Sequence, residues 1–253
     1  MTPITIKNVR IGEGRPKTIV PILNATREEA VCAAQRAVAA GADCIEWRAD
    51  HSRNPHDAAE LAAMAHALGN ALPTTPLIAT LRTKGQGGQL EATGEEYARL
   101  VQAIVDAGGP DFVDIEFGVG HDRVRELAST ALRRGMRTIV SHHDFAGTPE
   151  SNWMVAELHR MAELGASIPK LAVMATSPRD AARLMEATST ASSQLETPLL
   201  TMAMGQHGAI TRLAGESFGS ALTFCALETA SAPGQVSLEK AVCALNALHA
   251  ALA

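Results

Sequence analysis

The chain has 253 residues, 46% of them hydrophobic and 19% charged, which is enough for a substantial core and typical of an α/β barrel. Its net charge of −5 offers no basic surface for nucleic acid, and no run of about 18 apolar residues offers a membrane span. The N-terminus has no signal-peptide pattern and the four cysteines form no CxxC pair, so we expect a cytoplasmic protein without a metal site.

The predicted elements begin with a short hairpin around Lys7-Asn8 and continue as eight apolar, β-rich runs separated by helical segments. The runs are Thr18–Leu23, Cys44–Arg48, Leu77–Leu81, Phe112–Phe117, Thr138–Ser141, Lys170–Met174, Leu199–Met204 and Ala221–Leu227. Eight such units predict a single (β/α)8 TIM barrel domain over residues 1–253, with a short N-terminal β-hairpin. A doubly wound open sheet is the alternative, but its usual glycine-rich loop is missing from Leu23–Thr26 after the first strand.

Helix-start signals lie between several of these runs. Thr26 with Glu29 fits a capping box. Thr148-Pro149 and Ser177-Pro178 each place a capping residue before a proline, so both pairs predict the first turn of a helix.

Lys170 is unusual among the lysines because an unbroken apolar run, Leu171–Ala175, follows it. An ammonium group buried there is costly unless it is paired or deprotonated. A neutral lysine is a nucleophile that forms Schiff bases with ketones and aldehydes. The alternative is a lysine at a strand end whose ammonium group reaches solvent, and this segment alone leaves both interpretations open.

Polar side chains follow the other predicted strands at the ends where active sites of such barrels lie. Alternation along a strand places Glu46 and Arg48 on one face. Further polar residues at strand ends are Arg82, Asp114, Glu116, Ser141, His142, His143 and Arg212. Structural ion pairs and a structural histidine would account for some of them. Their convergence with Lys170 in one cavity would instead suit an anionic substrate and imine chemistry with a histidine proton shuttle.

Six blocks of sequence carry a family resemblance. They are Ile45–His51, Arg82 with Gly87-Gly88, Ser141–Phe145, Ile168–Lys170, Arg212–Glu216 and Ser231–Gln235. In this order, and nearly from end to end, the chain resembles the type I 3-dehydroquinate dehydratases (3-dehydroquinases). The resemblance implies a homodimeric (β/α)8 barrel of the shikimate pathway of aromatic amino acid biosynthesis. Such an enzyme dehydrates the small molecule 3-dehydroquinate to 3-dehydroshikimate and needs no cofactor or metal.

The resemblance also implies a role for each site residue. Lys170 would attack the ring ketone as the Schiff-base lysine, and His143 would act as general acid and base. The substrate-binding residues that it implies are Glu46, Arg48 and Arg82 for the ring hydroxyls, and Arg212, Ser231 and Gln235 for the carboxylate. The Ser231–Gln235 segment would form part of a lid.

Three positions depart from the family pattern. Gln86 stands where a glutamate usually supports the histidine, and we expect a lower His143 pKa and an altered pH–rate profile, because an amide stabilises imidazolium less than a carboxylate does. Pro21 stands where a serine is common, for which we expect a minor effect. His142 replaces a frequent asparagine, so either histidine is a candidate catalyst. The register with Ser141 favours His143.

Two other functions fit parts of this pattern. A class I aldolase or transaldolase shares the fold and the buried lysine, but no clear phosphate-binding loop follows strands seven and eight. A non-enzymatic binder of carboxylated polyols would keep the pocket without the chemistry, although Lys170 and His143 are both present. Substrate screening and borohydride trapping distinguish these functions from a dehydratase.

Overall fold

The computed structural model describes residues 1–227 and 234–252 and shows a parallel barrel ringed by helices. An antiparallel hairpin of β1 (Ile4–Ile6) and β2 (Val9–Ile11) comes first. The barrel strands follow: β3 (Lys17–Ile22), β4 (Cys44–Arg48), β5 (Leu77–Thr80), β6 (Phe112–Glu116), β7 (Arg137–Asp144), β8 (Ile168–Met174), β9 (Leu200–Met204) and β10 (Leu222–Ala226). A short strand, β11 (Val236–Ser237), pairs with the end of β10.

The barrel closes between its last and first strands. Each of the strands from β3 to β8 pairs in parallel with the next one along the chain, and β10 pairs with β3. The N–H of Ala221 donates to the carbonyl of Leu199 at 2.8 Å, and a bridge joins Leu199 to Ser220 beside it. These contacts connect β9 with β10. The predicted (β/α)8 barrel with its N-terminal hairpin is therefore confirmed, and the open sheet is excluded.

Helices follow the strands and cover the outside of the barrel. They are α1 (Arg27–Ala39), α2 (Ala58–Ala71), α3 (Gly94–Ala107), α4 (His121–Arg133), α5 (Ser151–Glu163), α6 (Pro178–Gln194), α7 (Ala209–Leu213), α8 (Gly215–Phe218) and α9 (Leu238–Leu252). Within residues 1–227 and 234–252, none of the helices is long and apolar enough to cross a membrane.

Two of the predicted helix starts are confirmed and one is wrong. Thr26 forms a capping box at α1, and Ser177 caps α6 with Pro178 as its first residue. Thr148 does not cap α5, which begins three residues later at Ser151. The Thr148 hydroxyl instead donates to the carbonyl of Met174 at 2.8 Å, so it ties the loop to the end of β8.

Residues that alternate along the strands divide the barrel interior into an apolar floor and a polar level above it. The floor takes one residue from each barrel strand: Ile19, Cys44, Ile78, Phe112, Ile139, Ile168, Leu200 and Leu222. Ile11 of the hairpin is fully buried in the same cluster. Because inward positions recur every second residue, the next level holds Glu46, Thr80, Asp114, Ser141, Lys170, Met202 and Phe224. The closed floor leaves these side chains open only toward the carboxyl ends of the strands.

Candidate active site

A cavity of about 130 Å³ lies at the carboxyl ends of the barrel strands. It brings together the acid, the lysine, the histidine and the arginines that the sequence pattern singled out: Glu46, Lys170, His143, Arg48, Arg82 and Arg212. Gln86 and Gln235 also line it. Ser231, the remaining residue predicted for the site, lies outside the described residues.

Lys170 lies deep in this cavity and is only 3% exposed. Its Nζ donates a hydrogen bond to Oδ2 of Asp114 at 3.0 Å and lies 3.9 Å from Oε1 of Glu46. The ring of Phe224 covers Nζ, with 4.8 Å between Nζ and the ring centroid, close enough for a cation–π contact. The ammonium group therefore does not reach solvent, and an ion pair inside the barrel offsets the cost of its burial.

Asp114 is the centre of a buried hydrogen-bond network. Its Oδ1 accepts from the hydroxyl of Ser141 at 2.6 Å, and its Oδ2 accepts from Nη2 of Arg82 at 2.8 Å as well as from Lys170. Nη1 of Arg82 donates to the Ser141 hydroxyl at 2.9 Å and to Glu116 at 3.3 Å. Burial alone would raise the pKa of Asp114, but Arg82 and Lys170 outweigh it and hold this pKa below its ordinary value. Asp114 is therefore an anion.

The sequence pattern indicated Asp114 only as a polar residue at a strand end, and its contact with Lys170 was missed. The sequence did contain a signal for this contact, in the spacing of residues along the strands. Asp114, Ser141 and Lys170 each follow a floor residue of their own strand by two positions. These three side chains therefore belong to the same level of the barrel.

His143 lies at the rim of the cavity, against Gln86 and Phe145. Its backbone N–H donates to Oε1 of Gln86 at 2.7 Å, and its ring Nδ1 lies 3.4 Å from the same oxygen. An amide oxygen only accepts hydrogen bonds, so a bond from Nδ1 requires the proton there and leaves the lone pair on Nε2. The Phe145 ring stacks on the imidazole, with 6.2 Å between the centroids and 14° between the planes.

The electrostatic surroundings of His143 favour its neutral form. Burial lowers the pKa of His143 well below its ordinary value of 6.5, and the positive charges of Arg82 and Lys170 lower it further. The imidazole is therefore able to accept a proton at neutral pH. His142 occupies a different environment, because its ring packs edge-on against Phe117 and Trp153, at centroid distances of 6.4 and 5.9 Å.

Ion pairs and hydrogen bonds also fix the side chains on the opposite side of the cavity. Nε and Nη2 of Arg48 donate to the two carboxylate oxygens of Asp50, each at 2.8 Å. Oε1 of Glu46 accepts from the hydroxyl of Thr80 at 2.8 Å. Asp50 and Thr80, which the sequence pattern did not single out, therefore hold two predicted binding residues in place.

Pro21, the departure predicted to have a minor effect, pairs with Glu46 between β3 and β4 and borders a separate groove.

Arg212 supplies a buried positive charge to the cavity. Its side chain is 2% exposed, and burial lowers its pKa to about 10, so it stays cationic at neutral pH. The remaining wall is apolar and takes Ala172, Met202, Met204 and Phe224 from β8, β9 and β10. The cavity thus combines charged groups on one side with an apolar surface on the other. This arrangement suits a compact anionic ring with carbon faces and polar substituents.

Comparison with known proteins agrees with this architecture. Residues 18–251 match the family described as type I 3-dehydroquinase. The 3-dehydroquinate dehydratase of Klebsiella pneumoniae is 39% identical over 238 residues, covering 94% of this chain and 95% of that protein. The enzyme of the same name from Clostridioides difficile is 37% identical over 247 residues and 97% of each chain.

Solved structures give the same result. The crystal structure of type I 3-dehydroquinate dehydratase from Clostridium difficile, with covalently modified comenic acid, superposes with a TM-score of 0.94 at 37% identity and covers 99% of this chain and 100% of that one. The 3-dehydroquinate dehydratase of Geobacillus kaustophilus also gives a TM-score of 0.94, at 35% identity, with 98% and 97% of the two chains covered. Both the family profile and the close relatives span nearly the whole chain. The chain therefore belongs to the type I 3-dehydroquinase family.

Proposed function

We propose that this protein dehydrates 3-dehydroquinate to 3-dehydroshikimate through a Schiff base on Lys170, with His143 as general acid and base and without a metal or cofactor. The observation that carries the proposal is the position of Lys170. Lys170 is 3% exposed, and its Nζ lies at the bottom of a cavity that is closed below by the apolar floor. The same cavity holds a histidine that burial keeps neutral. A lysine and a neutral base in one desolvated site are the groups that imine chemistry requires.

The reaction begins when Nζ, having passed one ammonium proton to Nε2 of His143, attacks the ring ketone. The carbonyl oxygen takes a second proton from Nζ and the one held by His143, and leaves as water. The iminium that remains acidifies the adjacent carbon, and Nε2 of His143 takes a proton from that carbon. The electron pair of that C–H bond forms a C=C bond, and the π electrons of the C=N bond move to the nitrogen, which gives a neutral enamine. The enamine then expels the ring hydroxyl, which takes the proton from His143 and leaves as water. Hydrolysis of the conjugated iminium releases the enone and regenerates Lys170.

Substrate binding follows from the charges around the cavity. We propose that Arg212, Ser231 and Gln235 hold the substrate carboxylate, since Arg212 is a buried cation on the cavity wall. We assign Glu46, Arg48 and Arg82 to the ring hydroxyls. Arg48 and Arg82 are already fixed by carboxylates, so little side-chain entropy is lost when substrate binds to them.

Turnover is tested by incubating the protein with 3-dehydroquinate and following the absorbance of the conjugated enone product. We expect turnover in the wild type and at least a thousandfold loss in Lys170→Met, because the covalent route then has no nucleophile. Thr188→Val is a matched control, since Thr188 is a buried polar residue bonded to Thr201 on the outer side of the barrel. An inactive wild type would refute the proposed reaction.

Borohydride trapping separates this function from the two alternatives. Treatment with 3-dehydroquinate and borohydride should add one reduced substrate to Lys170, which peptide mass spectrometry locates. Turnover without an adduct would refute the Schiff-base mechanism but would still support the proposed dehydration. An adduct without enone formation would favour a different Schiff-base enzyme, and neither adduct nor turnover would favour a simple binder.

We also propose that the protein is a cytoplasmic homodimer, as the family resemblance implies. Light scattering on a size-exclusion column should give twice the chain mass of 26.5 kDa. Fractionation of the source cells should place the protein with the cytoplasmic markers. A species of single-chain mass at micromolar concentration would contradict the dimer.

A further inference from the structure

The buried hydrogen-bonded ion pairs below the cavity balance in charge only when Nζ of Lys170 is positive. Arg82 and Lys170 contribute two positive charges, and Asp114 and Glu116 contribute two negative charges. All four side chains are at most 4% exposed, so solvent does little to compensate a missing charge. A neutral amine at Nζ would leave this set with an uncompensated buried negative charge.

Asp114 is the acidic residue placed to compensate that positive charge. Its Oδ2 lies 3.0 Å from Nζ, against 3.9 Å for the nearest oxygen of Glu46. The hydroxyl of Ser141 and Nη2 of Arg82 hold its two oxygens in place at 2.6 and 2.8 Å. Glu116 is turned away from Lys170, because its oxygens accept from Arg82 and from the backbone N–H and hydroxyl of Thr83.

We propose that Asp114 is the counter-ion of the iminium formed on Lys170. This inference rests on the proposed Schiff-base function and adds a residue to it. Overall, the lysine ammonium and the ketone give a protonated imine and water: a C–N bond forms, the C–O bond breaks, and two of the ammonium protons leave with the oxygen. The charge at Nζ is +1 before and after, so the anionic site that binds the resting ammonium equally suits the iminium. Protonation is what makes the imine an electron sink.

The groups around this contact set the pH dependence that follows. Within residues 1–227 and 234–252, the titratable or charged groups that face Nζ or Asp114 are Glu46 from β4, Arg82 after β5, Glu116 from β6, His143 from β7 and Tyr97 from α3. Arg82 is shared between Asp114 and Glu116, and Glu46 is already hydrogen-bonded to Thr80. Among the described residues, removing the charge of Asp114 therefore leaves Glu46 as the nearest remaining anion, at a longer distance from Nζ.

The test is the alkaline limb of the pH–rate profile in Asp114→Asn, with 3-dehydroquinate as substrate. An iminium without its counter-ion loses its proton at lower pH, so we expect this limb to move down by about one to three pH units. Borohydride trapping at alkaline pH should slow by about tenfold or more, since only the protonated imine is a good hydride acceptor. Circular dichroism and thermal unfolding establish that the variant is folded.

Two further variants make the result specific. Glu116→Gln removes a charge from the same buried network without touching Nζ, so its alkaline limb should coincide with that of the wild type. Glu46→Gln removes the other carboxylate near Nζ and should move the limb by less than half a unit. If Asp114→Asn does not fold, Glu46→Gln decides, because a shift of one unit or more there would overturn the assignment.

The outcomes for the two proposals differ. If the wild type is active and a folded Asp114→Asn variant has the same alkaline limb as the wild type, the counter-ion assignment is wrong and the proposed function stands. Equal shifts in Asp114→Asn and Glu116→Gln also overturn it, because they would show a general effect of buried charge. If the wild type forms no adduct with 3-dehydroquinate, the proposed mechanism is wrong, and the assignment of Asp114 as counter-ion is wrong as well.

Discussion

Replacing Gln86 with glutamate should raise the pKa of His143 and move the acid limb of the pH–rate profile to higher pH. In the wild type a neutral amide oxygen lies 3.4 Å from Nδ1 of His143. A carboxylate at that position would stabilise the imidazolium. Two opposite unit charges at this distance attract by about 5 kcal/mol at an effective dielectric constant of about 20.

Two effects reduce that figure. Gln86 is only partly buried, so solvent screens the new charge, and partial desolvation of the carboxylate costs free energy. Opposite charges at such distances shift a pKa by about one to three units. Because His143 must be neutral to accept a proton, a higher pKa means that activity is lost at higher pH. We therefore expect the acid limb to rise by about one to three pH units.

The assay is kcat/KM for 3-dehydroquinate between pH 4 and pH 9 (roughly the range over which histidine titrates), because this parameter reports the ionisation of the free enzyme. Gly85→Glu is a matched control. It adds the same charge one residue away, at an exposed position where a new Cβ has open space around it. Coincident acid limbs in wild type and folded Gln86→Glu would refute the reasoning. An equal shift in Gly85→Glu would also refute it.

Three further predictions test other residues. His143→Ala should lose at least a hundredfold more kcat than His142→Ala, and the reverse order would exchange the two assignments. Asp50→Asn should lower the free energy of unfolding by about 3 kcal/mol at pH 7, because it leaves Arg48 buried without its carboxylate. Burial opposes ionisation of Asp50, but Arg48 outweighs it and lowers this pKa. The stabilisation is therefore present above the unfolded pKa and should vanish as urea titrations reach pH values below the folded pKa. Thr26→Ala removes a confirmed capping box and should cost about 1 kcal/mol, with Thr190→Ala, inside α6, as the comparison.

The fold was predictable because two patterns that do not depend on tertiary contacts agreed along the chain. Apolar β-rich runs marked the strands, and capping residues marked the starts of α1 and α6. Strand ends were less predictable. β7 continues to Asp144, because His142 and His143 still pair with Leu171 and Ala172 in β8, although polar residues suggested an earlier end.

The start of β8 was missed for a related reason. The predicted strand began at Lys170, whereas the observed one begins at Ile168 and includes Pro169 opposite Val140. Proline disfavours a central strand in general, because it cannot donate a hydrogen bond. Here β8 has partners on both sides, and the pairing of Ile168 with Ile139 fixes the register that brings Lys170 beside Ser141. The pairing of β8 with both neighbouring strands therefore outweighs the local preference of proline against a central strand.

Much of the site could be predicted from strand ends and the family resemblance, but its internal contacts could not. Sequence spacing places Glu46 and Arg48 on one face, whereas the pairing of Arg48 with Asp50 depends on how the chain turns after β4. Phe145 was not singled out, because its stacking on His143 depends on the path taken by the loop after β7. Side-chain directions in loops are set by tertiary packing, which alternation along strands does not describe.

The charges at Lys170 and His143 are coupled, and this coupling fits the order of proton transfers in the proposed mechanism. The positive charge at Nζ of Lys170 is one cause of the lowered pKa of His143. When Nζ loses a proton to become the nucleophile, that repulsion disappears and the imidazole becomes a better base. When His143 takes the proton from the carbon, the iminium becomes a neutral enamine, so the repulsion falls as the imidazolium forms. When the enamine expels the hydroxyl, a positive charge returns to Nζ while the imidazolium gives up its proton. Arg82 lowers the pKa of Asp114 whichever charge Nζ carries, so the change in acidity at His143 follows the charge on Nζ.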